Sequence, residues 1–224
     1  MGEVSEASET ERGKVETENY KEIQPENETN LDEAKQYMDD LFSKEIPCEE
    51  NEEPENPHQE MIDGKKYYYD DNGKLYRVEN DLAPNTEYEI EGYKYITDDI
   101  GRIVSAEGKL HIKDREGRLQ IKDTIQDIGK GDQKEGDDRG HLIGDQFGGS
   151  NGLENMIPQD ADINRNDFRN LENELAKEVK DGKEVNVIVE PIYEGGSRRP
   201  VAIVMTYSID GEESVRVFPN NKEG

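Results

Sequence analysis

The 224-residue sequence has no tryptophan, a single cysteine and only 30% hydrophobic residues. One thiol, Cys48, cannot close an internal disulfide, so whatever folds here is held by burial alone. No apolar run approaches the roughly 18 residues of a membrane-spanning helix, and the N-terminus lacks the basic-then-apolar pattern of a cleaved export signal. The expectation is a soluble chain. Positive charge is scarce too: 28 Lys and Arg stand against 55 Asp and Glu, a formal net charge of −27. Such a balance ordinarily argues against polyanionic partners, because counterion release needs clustered cations.

The negative charge is unevenly spread. Residues 1–60 hold 20 of the acidic and 5 of the basic side chains, and only 7 Val, Ile, Leu or Phe. A stretch that polar cannot bury enough apolar area to offset chain entropy, and it reads as an acidic, largely disordered linker or tail. Within it, Asn30-Leu31-Asp32-Glu33-Ala34 reads as an N-cap, and Leu31, Ala34, Met38 and Leu41 recur at helical spacing, so a short helix is expected near residues 31–44. A helix that short is marginal alone. It reads first as a fraying helix in a solvated arm, with a docking or secretion-recognition element as the alternative.

From Met61 the pattern turns to short strands punctuated by turns, and residues 61–224 read as one domain. Lys66-Tyr67-Tyr68-Tyr69 and Leu75-Tyr76-Arg77-Val78 flank Asp71-Asn72-Gly73, a hairpin signature rather than a calcium loop, for which the spaced ligands and distal Glu are missing. Similar punctuation separates Tyr93–Ile96 from Ile103-Val104, and Leu110-His111-Ile112 from Leu119-Gln120-Ile121. Phe168, Leu171, Leu175 and Val179 mark a helix that Asn166 or Asp167 can cap and that Lys180-Asp181-Gly182 stops. Two further strands follow, at Val185–Val189 and Val201–Ile209. The fold class is α+β, with a mostly antiparallel central sheet.

Of the three histidines, His58 falls in the acidic linker and His111 in an expected strand, and neither has polar partners visible in sequence. His141 follows Asp138-Arg139-Gly140 and precedes a stretch dense in carboxamides: Asn151, Asn155, Gln159 and Asn164. Asp138-Arg139-Gly140-His141, then Asn155-Met156-Ile157-Pro158-Gln159, then Asn164 opening a helix that carries Glu172, resembles the DNA/RNA non-specific endonucleases of the ββα-metal (His-Me finger) superfamily. The resemblance runs from about residue 93 to 219. Glu190-Pro191-Ile192-Tyr193 and Ser197-Arg198-Arg199-Pro200 resemble the bacterial secreted-toxin branch.

The resemblance implies a ββα-metal core with a metal-ligand-bearing helix, and hydrolysis of phosphodiesters in DNA, with RNA as a second substrate. It implies one bound Mg²⁺, for which Mn²⁺ can substitute. His141 would be the general base, since a neutral imidazole can take a proton from attacking water. Asn164 would be the direct metal ligand, Glu172 would reach the ion's water shell, and Asn155 and Asp138 would support the site from behind. Arg139, and Arg102 in an upstream Gly-Arg, are the candidates to stabilise the phosphorane. Arg165, Arg169, Arg198 and Arg199, with Lys113, Arg115, Arg118 and Lys122, could form a local basic groove despite the total charge.

The same resemblance implies an antibacterial toxin module. Its partner would be an immunity protein, and it would be secreted without a cleavable signal or delivered to a target bacterial cell, and otherwise be cytoplasmic. The rival class is a non-catalytic acidic binding protein, a DNA mimic or inhibitor. A mimic needs carboxylates spread over a folded face, whereas here more than half the excess lies in the expected linker. Oligomeric state is not legible.

Overall fold

Period-two alternation of apolar and polar residues drives most of this chain into strands, and the turns between them are set by Gly, Asn and Asp. The computed structural model describes residues 28–43 and 57–221. A helix, α1 (Glu28–Phe42), precedes a small sheet of β1 (His58–Ile62), β2 (Lys65–Tyr69), β3 (Leu75–Val78) and β4 (Asp81–Leu82), paired in that order. Next come β5 (Glu87–Ile90), β6 (Tyr93–Thr97), β7 (Ile103–Lys109), the short helix α2 (Ile125–Gly129), and a hairpin of β8 (Asp137–His141) and β9 (Met156–Asp160). A π turn (Ile163–Phe168) runs into α3 (Arg169–Lys180), and β10 (Val185–Ile192), β11 (Ala202–Ile209) and β12 (Glu212–Pro219) end the described chain. The large sheet has the order β12-β11-β10-β7-β6-β5, and all pairings among the described residues are antiparallel.

One face of the large sheet is the core. Val185, Val187 and Val189 of β10, Tyr93 and Tyr95 of β6, and Ala106 of β7 are buried along with Leu171, Leu175 and Ala176 of α3. Each large apolar side chain so covered contributes about 1.5–3 kcal/mol. Phe168 at the start of α3 meets Phe218 of β12 at 5.1 Å between ring centroids. The small sheet joins this core through stacked rings, Tyr76 on Tyr88 at 4.8 Å and Tyr88 on Tyr95 at 5.5 Å.

Several expectations are corrected. The folded body begins at β1, three residues before Met61, and His58 lies in that strand with its ring stacked on Tyr69, not in a linker. Residues 110–112 and 119–121 form no hairpin. The Lys113 and Arg115 side chains are drawn to Asp145, and the Lys113 amide donates to the Gln146 carbonyl at 3.1 Å, so the segment is committed to another loop. His111 has a partner, the Tyr93 hydroxyl at 3.2 Å from its Nδ1. β1, β4, β5, β8, β9 and β12 have no counterpart among the strands expected from the sequence. Neither Asn166 nor Asp167 caps α3; the helical segment starts earlier, where Asp160 Oδ1 accepts the amides of Asp162 and Ile163 at 3.0 and 3.1 Å.

The helix α1 is docked rather than fraying in solvent. Met38 is wholly buried, Lys35 pairs with Asp99 at 2.8 Å, and the Tyr37 hydroxyl donates to Asp81 at 3.1 Å. Met38 fits because Gly101, at φ +75°, has no Cβ: one there would meet the Leu82 carbonyl and the Met38 methyl. The rest of the expected acidic linker, residues 1–27 and 44–56, lies outside the described residues.

Candidate active site

The β8–β9 register sets His141 opposite Met156 and Arg139 opposite Pro158. Between the strands, residues 142–155 fold back as a loop with Asn155 at its centre. Wholly buried, Asn155 accepts the Ile143 amide at 2.9 Å and donates to the Ile143 and Ser150 carbonyls at 2.8 Å each. Both ends of the loop are thereby tied to one carboxamide.

His141 is 7% exposed, and its Nε2 lies 2.9 Å from Asn151 Oδ1. The amide of Asn151 is oriented by its other end, where Nδ2 donates to Asp145 at 3.4 Å. An amide oxygen only accepts, so Nε2 carries the proton and Nδ1 keeps its lone pair. Asp145 is itself gripped by Arg115 and Lys113. Burial would raise its pKa, but the hydrogen bonds from Arg115, Lys113 and Asn151 outweigh that and hold it at about 2. Burial pushes the His141 imidazole below its usual value, with Arg118 and Arg115 acting in the same direction and Asn151 and Asp145 against it. The ring is neutral near pH 7.

Asn164 sits in the π turn, a helical irregularity frequent at functional sites. Its Nδ2 donates to Asp138 Oδ2 at 3.0 Å, which leaves its carbonyl oxygen without a hydrogen bond among the described residues. Arg165 makes two bonds to the same carboxylate, at 2.8 and 2.6 Å, so Asp138 orients both. Despite the burial that would raise it, those bonds hold Asp138 below the usual carboxylate range. On α3, Glu172 lies against Gly144, so closely that a Cβ there would strike the carboxylate. Burial drives the Glu172 pKa up to about 7, with Arg118 and Arg169 opposing.

His141, Asn164, Glu172, Asp138 and Arg139 line one cleft of about 720 Å³, together with Arg118, Arg165 and Arg169. Among the described residues no group of three or more His, Cys, Asp or Glu could hold a metal, so the donors are not those of a closed zinc cage. The cleft oxygens left free to meet a cation are the Asn164 carbonyl oxygen and the Glu172 carboxylate, which makes no hydrogen bond or ion pair among the described residues. Oxygen donors of this kind suit a hard cation that keeps most of its waters.

A cleft that presents a neutral imidazole, an oxygen-donor pair and several arginines is equipped for phosphodiesters, and the model of the DNA/RNA non-specific endonucleases matches residues 84–211. The chain belongs to that family. It is a nuclease, and so a hydrolase. It is 36% identical over 147 residues to the type VII secretion system protein EssD of Staphylococcus aureus strains USA300 and NCTC 8325, covering 62% of this chain and 24% of each relative. The chain thus spans about a quarter of the length of the curated relatives it matches. Among solved structures, it is similar to NucA from Streptococcus agalactiae with magnesium bound (18% identity, TM-score 0.44, 75% of this chain and 85% of that one). It is similar also to Sda1 nuclease with bound zinc (19%, TM-score 0.36, 82% and 66%).

In this nuclease three of the arginines read from the sequence fall outside the cleft. Arg102 binds Asp98 at 2.6 Å and the Gly195 and Ser197 carbonyls at 2.7 and 2.9 Å, with its guanidinium over the Tyr193 ring, so it ties the loop before β11 to the β6–β7 turn. Arg199 is 6% exposed and grips Asp137 at 2.7 and 2.8 Å, a pair that holds the start of β8. Arg198 is half-buried near Arg102 and Tyr193. Arg102 and Arg199 are committed to these partners, and Arg198 lies away from the cleft that His141 lines. Arg139 does line the cleft, although its Nη1 donates to the Asp123 and Ile121 carbonyls at 3.0 and 3.4 Å. Arg118 is exposed in the cleft, forms no hydrogen bond or ion pair among the described residues, and its charge is felt by His141, Asp138 and Glu172 alike. Sequence reasoning counted Arg118 only as one cation of a groove and Asn151 as one carboxamide of several; no spacing rule marks either.

Proposed function

We propose that the nuclease is a Mg²⁺-dependent, sequence-non-specific endonuclease acting on DNA, and on RNA as a second substrate, with His141 Nδ1 as the general base. The observation that carries the reading is the His141 Nε2–H bond to Asn151, which fixes the tautomer whose free nitrogen can accept a proton, in the cleft that also holds Asn164. As water attacks phosphorus, its proton passes to Nδ1, and the imidazolium that forms keeps its Nε2–H on Asn151, in line with Asp145. Arg118, whose fork of donors is uncommitted, would meet the negative charge of the pentacoordinate phosphate, with Arg139 beside it. Arg165 and Arg169 would take flanking phosphates. Asn164 and, through water, Glu172 would hold the ion, with Asp138 turning Asn164 toward it and Asn155 keeping the loop closed. Bound Mg²⁺ supplies charge neutralisation at the phosphate oxygens and eases departure of the 3′-oxygen.

The test is cleavage of supercoiled plasmid with Mg²⁺, with EDTA, and by folded His141→Ala. Metal-dependent nicking that drops about 10²–10⁴-fold in the variant is expected. Undiminished cleavage by the variant, or cleavage in EDTA, refutes the mechanism.

The biological reading is a bacterial toxin module neutralised by an immunity protein, supported by the likeness to a type VII secretion system protein. Induced cytoplasmic expression should arrest bacterial growth, and His141→Ala should not. The nuclease body would comprise residues 58–221, with α1 of the acidic N-terminal segment docked on it.

A further inference from the structure

Arg77 lies in β3, before the span that the nuclease family model covers, and yet it is 5% exposed and faces two buried carboxylates of the nuclease core. Its Nη2 and Nη1 bond Asp123 at 2.6 and 3.1 Å, its Nη1 is 3.7 Å from Glu154 Oε2, and its Nε donates to the Glu79 carbonyl at 2.6 Å. The guanidinium rests on the Tyr68 ring at 4.5 Å.

Each carboxylate leads to a different wall of the active site. The backbone carbonyl of Asp123 accepts Arg139, and Asp123 ends the segment whose residues 118–121 line the cleft. Glu154 precedes the central Asn155. Its Oε1 accepts the Ser150 hydroxyl, while its Oε2 is buried and accepts no hydrogen bond among the described residues, so Arg77 is the counter-charge it has there. Ser150 is the neighbour of Asn151, the residue that sets the His141 tautomer.

We propose that Arg77 is a positioning residue: one buried fork in the small sheet bonds Asp123 through both terminal nitrogens and turns Nη1 toward Glu154 as well, and so keeps the Arg118–Arg139 wall and the Asn151–His141 pair in register. A carboxylate buried without its partner either moves toward water, which shifts its loop, or takes a proton, which ends its ionic hold on that loop. The small sheet thereby acts as a clamp on the cleft. The inference rests on His141 being the base.

Arg77→Lys keeps the charge and removes the fork. Arg77→Met/Asp123→Asn/Glu154→Gln removes the stranded charges together, in case Arg77→Met alone does not fold. Both are made in the full chain and checked by circular dichroism and thermal melting. The readouts are kcat and KM on plasmid DNA with Mg²⁺, and the tautomer of His141 from long-range ¹H–¹⁵N correlation, tractable with three histidines in the chain. We expect kcat to fall roughly 10–100-fold with KM within about twofold. The His141 signal should pass from a single Nε2–H tautomer to a mixture. Either folded variant with wild-type kcat and an unchanged tautomer overturns the proposal, as does a wild-type imidazole already averaging between tautomers. If the wild-type chain cuts nothing, the nuclease mechanism fails while the imidazole signature still decides the clamp.

Discussion

Among the described residues only one of the two nitrogens of His141, Nε2, faces an acceptor, and that asymmetry is what would make the residue a usable base. Burial and the Arg118 and Arg115 charges lower its pKa more than Asn151 and Asp145 raise it, so the neutral form persists to more acidic pH than for a free imidazole. The rate needs that neutral form, and it falls as pH drops through the depressed pKa. The acid limb of kcat/KM should therefore lie below about pH 6.5, measured at fixed Mg²⁺. A limb above that value would mean that His141 is not the group titrating. Asn151→Ala removes the acceptor and frees the ring to hold its proton on either nitrogen. It should cost roughly 10–100-fold in kcat with little change in KM, while a merely structural asparagine would alter the melting temperature alone. Sequence carried the order of Asp138, His141, Asn155 and Asn164 because the motif is contiguous in pieces. It could not carry Asn151 or Arg118, whose proposed roles come from a loop folded back on itself and from an arginine left without a carboxylate among the described residues. The structure sets Arg102 and Arg199 apart from the cleft because most of their partners, the Ser197 and Gly195 carbonyls and Asp137, become neighbours only on folding.

Elements were legible where one physical signal dominated. Alternation located β2, β3, β6, β10 and β11, and the Phe168-Leu171-Leu175 stripe located α3, because each buries one face against the core. The start of α3 was misplaced because the π turn inserts a wider loop of backbone that helical periodicity does not anticipate, moving the cap from Asn166 or Asp167 back to Asp160. This placement matters chemically, since Asn164 then lies within the helical segment and not before it. Asp160→Ala should destabilise the protein by about 0.5–2 kcal/mol, read from thermal or urea unfolding, whereas Asp167→Ala should be near neutral. Equal losses at the two positions would restore the later start. The segment at residues 110–121 forms no hairpin because charge overrides pattern: the Lys113 and Arg115 side chains are held on Asp145 at the cleft's edge, and the Lys113 amide goes to Gln146.

At the scale of the whole molecule, a chain of net charge −27 must bring a polyanion to His141. The cleft concentrates Arg118, Arg139, Arg165 and Arg169, whereas much of the acidic excess belongs to residues 1–60, and local field governs approach more than the total does. A pure mimic of nucleic acid would have no use for that cluster around a neutral imidazole. The docked α1 adds a constraint on any truncation, because removing it uncovers the notch at Leu82 and Gly101 that Met38 fills. Deleting residues 1–27 leaves that contact in place, and deleting residues 1–56 removes it along with 19 acidic and 5 basic side chains. If the acidic segment competes for the basic cleft, the shorter chain should cut DNA several-fold faster near 10 mM salt, where screening reaches about 30 Å, and the difference should close by about 0.15 M, where it reaches about 8 Å. The 1–27 deletion, which sheds 8 acidic and 3 basic side chains, should show a smaller gain in the same direction. Identical rates for all three chains at low salt would show that the segment leaves the cleft alone; a gain that persisted at high salt would assign the effect to loss of the α1 contact and not to charge.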